Sequence, residues 1–110
     1  MRYAVPTAEG KLALHFGHCD SFSVFDVEDG KIVSSEALDA PPHQPGLLPR
    51  WLAEHNVNVI IAGGMGGRAH ALFDQAGISV VVGAPRAEPK SIVEQHLAGT
   101  LATGDNLCDH

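Results

Sequence analysis

The feature that most limits the possible folds is a pair of short apolar runs, each followed by a helical pattern. Residues 56–62 are rich in β-branched side chains, and residues 78–82 form a second apolar run flanked by glycines. Helical spacing follows each run, over residues 68–75 and 88–97, and Gly77 is expected to cap the first of these helices. Two successive strand-helix units favour parallel strands joined by right-handed crossovers.

The N-terminal half predicts antiparallel strands instead. Residues 2–6 form a short apolar run, and residues 21–27 and 31–38 alternate in a strand-like way on either side of Asp29-Gly30. An Asp-Gly pair between two such runs is a strong signal of a β-hairpin. Together with the parallel units, this predicts an α/β fold with a mixed sheet and helices on its faces.

The chain length and charge limit the class of protein. At 110 residues with 45% hydrophobic side chains, the chain is expected to form one domain over residues 1–110, in which residues 100–110 are a C-terminal tail. A formal charge of -6 argues against nucleic-acid binding, because no basic cluster offsets it. The sequence contains no run approaching the roughly 20 apolar residues that a membrane span requires. We therefore expect a cytoplasmic protein without a membrane partner.

A proline-rich segment lies between the two halves. Residues 40–49 contain four prolines and His43, which predicts an exposed loop leading into a helix over residues 48–55. Loops carry many binding residues, although an exposed histidine without a role is the commoner case. The loop also leads to Trp51, which we expect in the core of the helix that follows.

Two short segments combine histidine and cysteine. His15, His18 and Cys19 stand within five residues around Gly17, and Cys108 and His110 lie at the C-terminus. Imidazole and thiolate suit zinc, copper and iron-sulfur centres, and a glycine lets a loop direct several ligands at one ion. The alternative is a turn with a buried cysteine and a frayed chain end.

A glycine-rich turn follows the first apolar run. It is formed by Gly63, Gly64, Met65, Gly66 and Gly67. Backbone amides that open a helix bind anions, so the turn can receive an anionic metal-sulfide cluster, with the Met65 thioether and the adjacent Arg68 charge in support. Two alternatives stay open, namely nucleotide binding through a G-x-G-x-x-A pattern and glycines that only permit tight packing.

These motifs together resemble a known family. The chain has His15-Phe16-Gly17, the loop at residues 43–46 and the segment 58–69 in an order similar to that of the dinitrogenase iron-molybdenum cofactor biosynthesis family, the NifX-like carriers that include the molybdenum-copper orange protein. The resemblance extends from residue 1 to about residue 101. It implies a ribonuclease H-like sheet of about five strands, without ribonuclease activity.

The resemblance also implies a site and a function. His15, His43 and the turn of residues 63–67 with Met65 would face a bound cluster, while His18 and Cys19 depart from the pattern of many relatives and suggest direct coordination. We therefore expect a non-catalytic carrier or scaffold for an iron-sulfur, iron-molybdenum or molybdenum-copper sulfide cluster, with transient protein partners in cluster assembly. The alternatives are a mononuclear zinc or copper protein, and an enzyme that uses the glycine turn for a nucleotide or Cys19 for thiol redox chemistry.

Overall fold

The computed structural model describes residues 1–13, 19–41 and 47–101, and these residues form a single α/β domain. The elements in chain order are β1 (Arg2–Ala8), β2 (Lys11–Leu12), β3 (Ser21–Glu28), β4 (Lys31–Asp39), α1 (Leu47–Glu54), β5 (Val59–Ile61), α2 (Gly67–Gln75), β6 (Ser79–Val81) and α3 (Pro89–Ala98).

The strands form one mixed sheet in the order β4-β3-β1-β5-β6, and the short β2 pairs with β1 beside this path. Strands β1, β5 and β6 are parallel, whereas β3 is antiparallel to both β1 and β4. The mixed ribonuclease H-like sheet expected from the sequence is thereby confirmed, with five strands on the main path and β2 as a sixth.

The β3–β4 hairpin also agrees with the prediction. Asp29 and Gly30 form its turn with φ values of 52° and 75°, the left-handed conformation that two-residue hairpin turns require. Near the turn, the pairing passes from Asp26 with Ser34 to Val27 with Ile32, so that Val33 is left over as a bulge.

Both faces of the central strands are buried, whereas the edge strand β4 is mostly exposed. The alternation along β3 shows how the two faces are covered. Phe22 and Val24 join one hydrophobic cluster, which also contains side chains of α1 and α2. Phe25 and Val27 point to the other face and join a second cluster with Ile92 of α3. The sheet therefore lies between two helices on one face and a single helix on the other.

The helix ends refine the sequence-based boundaries. The loop predicted to reach residue 49 ends earlier, because α1 begins at Leu47 and includes Pro49 in its first turn. Proline is tolerated there, since the amide it lacks would have no partner within the helix. Gly77 follows α2 with a φ of 80°, which confirms it as the predicted cap. Within the described ranges, none of the helices is long and apolar enough to cross a membrane.

Candidate functional site

The topology brings the motif-bearing loops to one end of the sheet. Parallel strands β1, β5 and β6 have their C-terminal ends there, and the antiparallel arrangement makes β3 begin and β4 end at the same place. We call this end the carboxyl edge. It is formed by the chain around Thr7, Asp20, Ala40, Ala62 and Val82.

Backbone hydrogen bonds fix these segments to one another. The Asp20 amide donates to the Thr7 carbonyl at 2.9 Å, and the Ala40 amide donates to the Asp20 carbonyl at 3.2 Å. On the other side of β1, the Gly83 amide donates to the Gly63 carbonyl at 2.9 Å. The residues that flank the predicted His/Cys segment and the His43 loop therefore share the carboxyl edge with the glycine turn.

Most of the predicted ligands lie outside the described residues. This applies to His15, His18, His43, Cys108 and His110. Their roles stay predictions. Within the ranges that the structure describes, no group of three or more His, Cys, Asp or Glu side chains has the arrangement of a metal site. A site of the predicted composition therefore depends on these five side chains.

Cys19 is the predicted thiolate ligand that the structure describes. It is a free, half-buried cysteine that packs against the hydrophobic cluster containing Phe22 and Met65. Burial raises the pKa of its thiol to about 11, a backbone hydrogen bond partly lowers it, and the nearby Asp20 charge raises it again. The thiol is thus protonated at neutral pH, whereas thiol redox chemistry needs a lowered pKa. A metal ion would have to displace this proton.

The side chain of Met65 points away from solvent. Met65 is fully buried and belongs to the hydrophobic cluster together with Leu52 and Phe73. In this position the thioether supports the core of the protein. Direct ligation through sulfur would require the side chain to leave that cluster, and its predicted role toward a bound group stays untested.

The last glycines of the turn have a different environment. A Cβ atom added at Gly66 or Gly67 would meet no atom of a more distant residue within 4 Å in the described part of the chain, and neither glycine has a positive φ. Neither tight packing nor backbone conformation therefore requires glycine at these two positions, which argues against the packing alternative there. The bare backbone leaves open space in front of the start of α2.

The start of α2 has the chemistry of an anion site. Gly66 is the N-cap and makes no side-chain capping bond, and the first turn of the helix contains no acidic residue. The first amides of a helix have no partner within it and carry partial positive charge. Arg68 is exposed in the same turn. An anionic group can approach these amides through the space above Gly66 and Gly67, so the donor set fits an anionic cluster.

The aromatic and histidine side chains near the site mainly support packing. Trp51 of α1, the single tryptophan of the chain, packs against Phe22 with ring centroids 5.6 Å apart. His55 packs edge-on against Trp51 with ring centroids 4.7 Å apart, and His70 is exposed on α2. Trp51 therefore lies close to the chain that enters β3 from Cys19.

The sequence interpretation missed Asp20. This residue directly follows Cys19, and its carboxylate accepts hydrogen bonds from the Glu9 amide at 3.3 Å and the Ser21 hydroxyl at 3.1 Å. The sequence offered one signal for Asp20, because its carboxylate stands between the predicted metal-ligand motif and a predicted strand. Its significance depends on contacts with a segment eleven positions earlier, which the sequence pattern does not display.

Comparison with known proteins identifies relatives over most of the chain. The family model described as dinitrogenase iron-molybdenum cofactor matches residues 1–99. The chain is also similar to an uncharacterised protein of Methanocaldococcus jannaschii, with 33% identity over 85 residues and coverage of 73% of this chain and 72% of the relative.

Solved structures share the fold. The crystal structure of PH0822 is similar with a TM-score of 0.88 and 27% identity, covering 94% of both chains. The apo form of the orange protein from Desulfovibrio gigas has a TM-score of 0.75 and 23% identity, with coverage of 96% of this chain and 93% of that one. The second likeness concerns the fold alone.

Proposed function

We propose that the chain, which belongs to the dinitrogenase iron-molybdenum cofactor family, is a non-catalytic carrier or scaffold for a metal-sulfur cluster. The observation that carries this proposal is the open start of α2 at the carboxyl edge, where Gly66 and Gly67 present bare backbone. The cargo is an iron-sulfur, iron-molybdenum or molybdenum-copper sulfide cluster, or a precursor of one.

Anion recognition at α2 explains why the glycines stand where they do. Metal-sulfide clusters are anionic, and the amides of the first helical turn together with the Arg68 guanidinium provide complementary positive charge. In this proposal the backbone of residues 63–67 and the side chain of His43 face the cluster.

Thiolates and imidazoles supply direct bonds in the proposal. Cys19 and Cys108 are the proposed thiolate ligands, and the supplementary ligands are His15, His18 and His110. Binding of a metal deprotonates a coordinating thiol, which overcomes the raised pKa of Cys19. The proton that Cys19 must lose competes with the metal, so ligation by this thiol should strengthen as the pH rises.

The surroundings of the proposed site agree with a transfer role. Gly67 and Arg68 are exposed residues, so a cluster bound beside them would stay accessible to a transient protein partner. The net charge of -6 disfavours nucleic acid as that partner. We place the protein in the cytoplasm, where reduced thiols are available for ligation.

The test is anaerobic reconstitution with iron and sulfide, with and without molybdate. We expect a sulfide-dependent visible absorption, bound metal and sulfide in a fixed ratio, and quenching of Trp51 fluorescence. The variant carrying both Cys19→Ala and Cys108→Ala should lose most of the uptake. His70→Ala, which removes an exposed histidine of α2, is the matched control and should keep it.

Three results would contradict the proposal in different ways. Uptake of about one zinc or copper ion per chain without any need for sulfide would indicate a mononuclear metal protein. Unchanged uptake in the double cysteine variant would exclude thiolate ligation while leaving the amide site. No uptake of any cluster would exclude the carrier function.

A further inference from the structure

We propose that the Asp20 carboxylate is a positioning group of the candidate site, which holds the chain at Cys19 in a fixed position relative to the turn that follows strand β1. This inference rests on the proposed function, because it concerns the same cluster-binding edge. Asp20 is not itself a ligand in the proposal. It acts through the segments that its hydrogen bonds connect.

The backbone of Asp20 connects three strands. Its amide donates to the Thr7 carbonyl at the end of β1 at 2.9 Å, and its carbonyl accepts from the Ala40 amide, directly after β4, at 3.2 Å. Asp20 itself directly precedes β3. The chain therefore enters β3 and leaves β4 in a defined relation to β1, although these positions are far apart in sequence.

The side chain of Asp20 adds a fourth segment. Its Oδ2 accepts from the Glu9 amide at 3.3 Å, and its Oδ1 accepts from the Ser21 hydroxyl at 3.1 Å. Glu9 and Gly10 form the turn between β1 and β2 with φ values of 55° and 80°. A glutamate at positive φ is strained, so the bond to its amide helps to hold the turn in this conformation.

The connection continues to the loop before α3. The Glu9 carboxylate accepts from the Arg86 guanidinium at 3.2 Å, so the turn between β1 and β2 is joined to the chain that follows β6. Asp20 thus stands at the centre of the contacts that join the loops of the carboxyl edge. The side chain of Asp20 is exposed.

The expected consequence concerns the geometry of the bound cluster. Cys19 is covalently adjacent to Asp20, so a shift of the chain at Asp20 also moves the proposed thiolate ligand. Ligand positions that shift by a fraction of an ångström still bind metal, but less tightly and with altered geometry. Loss of residues that orient ligands typically weakens metal affinity by roughly 10- to 100-fold.

The experiment compares Asp20→Ala and Asp20→Asn with the wild-type protein in the reconstitution assay. We expect cluster affinity to fall by roughly 10-fold in Asp20→Ala, the lower end of that range, because the carboxylate bonds to the chain beside Cys19 and not to the ligand itself. The loss should be smaller in Asp20→Asn, since its amide oxygen still accepts one hydrogen bond. The visible circular dichroism of the bound cluster should change shape in both variants. Removal of the carboxylate takes a negative charge away from the thiol, which alone would favour thiolate ligation, so weaker binding reports the lost hydrogen bonds.

Asp39→Ala is the matched control. Asp39 pairs with Ser21 at the same edge, is exposed, and its carboxylate makes no hydrogen bond or ion pair within the part of the chain that the structure describes. This variant changes the net charge equally and should bind the cluster as the wild type does. Amide hydrogen exchange at Glu9 should accelerate in Asp20→Ala but not in Asp39→Ala.

The outcomes separate the two proposals. If the wild-type protein takes up a cluster and both Asp20 variants match its affinity and dichroism, the positioning role is wrong while the carrier function stands. If the wild-type protein takes up no cluster, the carrier function fails and the positioning role fails with it. Should Asp20→Ala not fold, Asp20→Asn decides the outcome.

Discussion

Cys19 shows how the environment of one residue sets its chemistry. Burial raises the pKa of its thiol from the ordinary value of 9.0 to about 11, so the folded state favours the neutral thiol over the thiolate. Such a group stabilises the folded protein below the pKa of the unfolded chain, and this stabilisation is lost as the pH rises through the folded-state pKa.

We expect the free energy of unfolding of the wild-type protein to decrease more steeply than that of Cys19→Ala between pH 9.0 and about 11. Urea unfolding measured across this range checks the difference. Cys19→Ser serves as the control: its hydroxyl does not titrate in this range, so its free energy of unfolding should change with pH as that of Cys19→Ala does. Parallel curves for wild type and Cys19→Ala would show that the folded environment does not perturb this thiol.

Helix α2 has a glycine at each end, and the two glycines have different roles. Gly67 begins the helix with open space around it, whereas Gly77 follows the helix at a φ of 80°. Alanine is easily accommodated at the first position but is strained at the second. The two positions therefore provide a matched pair of substitutions.

Gly67→Ala should stabilise the protein by about 0.4–1 kcal/mol, because it restricts the unfolded chain without strain in the folded one. Gly77→Ala should destabilise it by about 1–2 kcal/mol, because alanine is strained at positive φ. Denaturant titration measures both changes.

Cluster binding should respond to these substitutions in the opposite order. A methyl group at residue 67 occupies the space through which an anion approaches α2, so Gly67→Ala should bind the cluster more weakly despite its greater stability. Gly77→Ala should bind it normally. Equal binding by both variants would show that the start of α2 does not contact the cargo.

At the scale of the whole molecule, the candidate site is built directly on the hydrophobic core. Met65 lies in the glycine turn, yet its side chain joins the cluster that packs α1 and α2 against the sheet. The same cluster receives the half-buried side chain of Cys19. The position of the glycine turn is therefore determined by packing on the face of the sheet that α1 and α2 cover.

Substitutions of Met65 separate a packing role from a ligand role. Met65→Ala should cost about 2–5 kcal/mol, because it leaves a cavity in the core. Met65→Leu conserves volume and should cost less than about 1.5 kcal/mol. We also expect Met65→Leu to retain cluster uptake, measured by metal content and visible absorption. Loss of uptake with intact stability would instead identify the thioether as a ligand.

Local features of the fold were predictable from the sequence because they depend on near neighbours. The alternation along residues 21–27, the Asp29-Gly30 turn and the Gly77 cap follow from side-chain periodicity and backbone conformation. The mixed sheet followed in turn, since two strand-helix units and a hairpin leave few topologies. The helix predicted over residues 48–55 is observed as Leu47–Glu54, and it includes Pro49 because the first helical turn tolerates proline.

The arrangement of the site depends on contacts between distant segments. The sequence by itself determined which residue types are present, including the histidines and cysteines of residues 15–19 and 108–110. The roles of these side chains stay predictions. Only the tertiary structure decided that Met65 faces the core, that Gly66 and Gly67 face open space, and that Asp20 joins Thr7, Glu9 and Ala40. The physical reason is that burial and hydrogen bonding are set by the packing of elements that lie far apart along the chain.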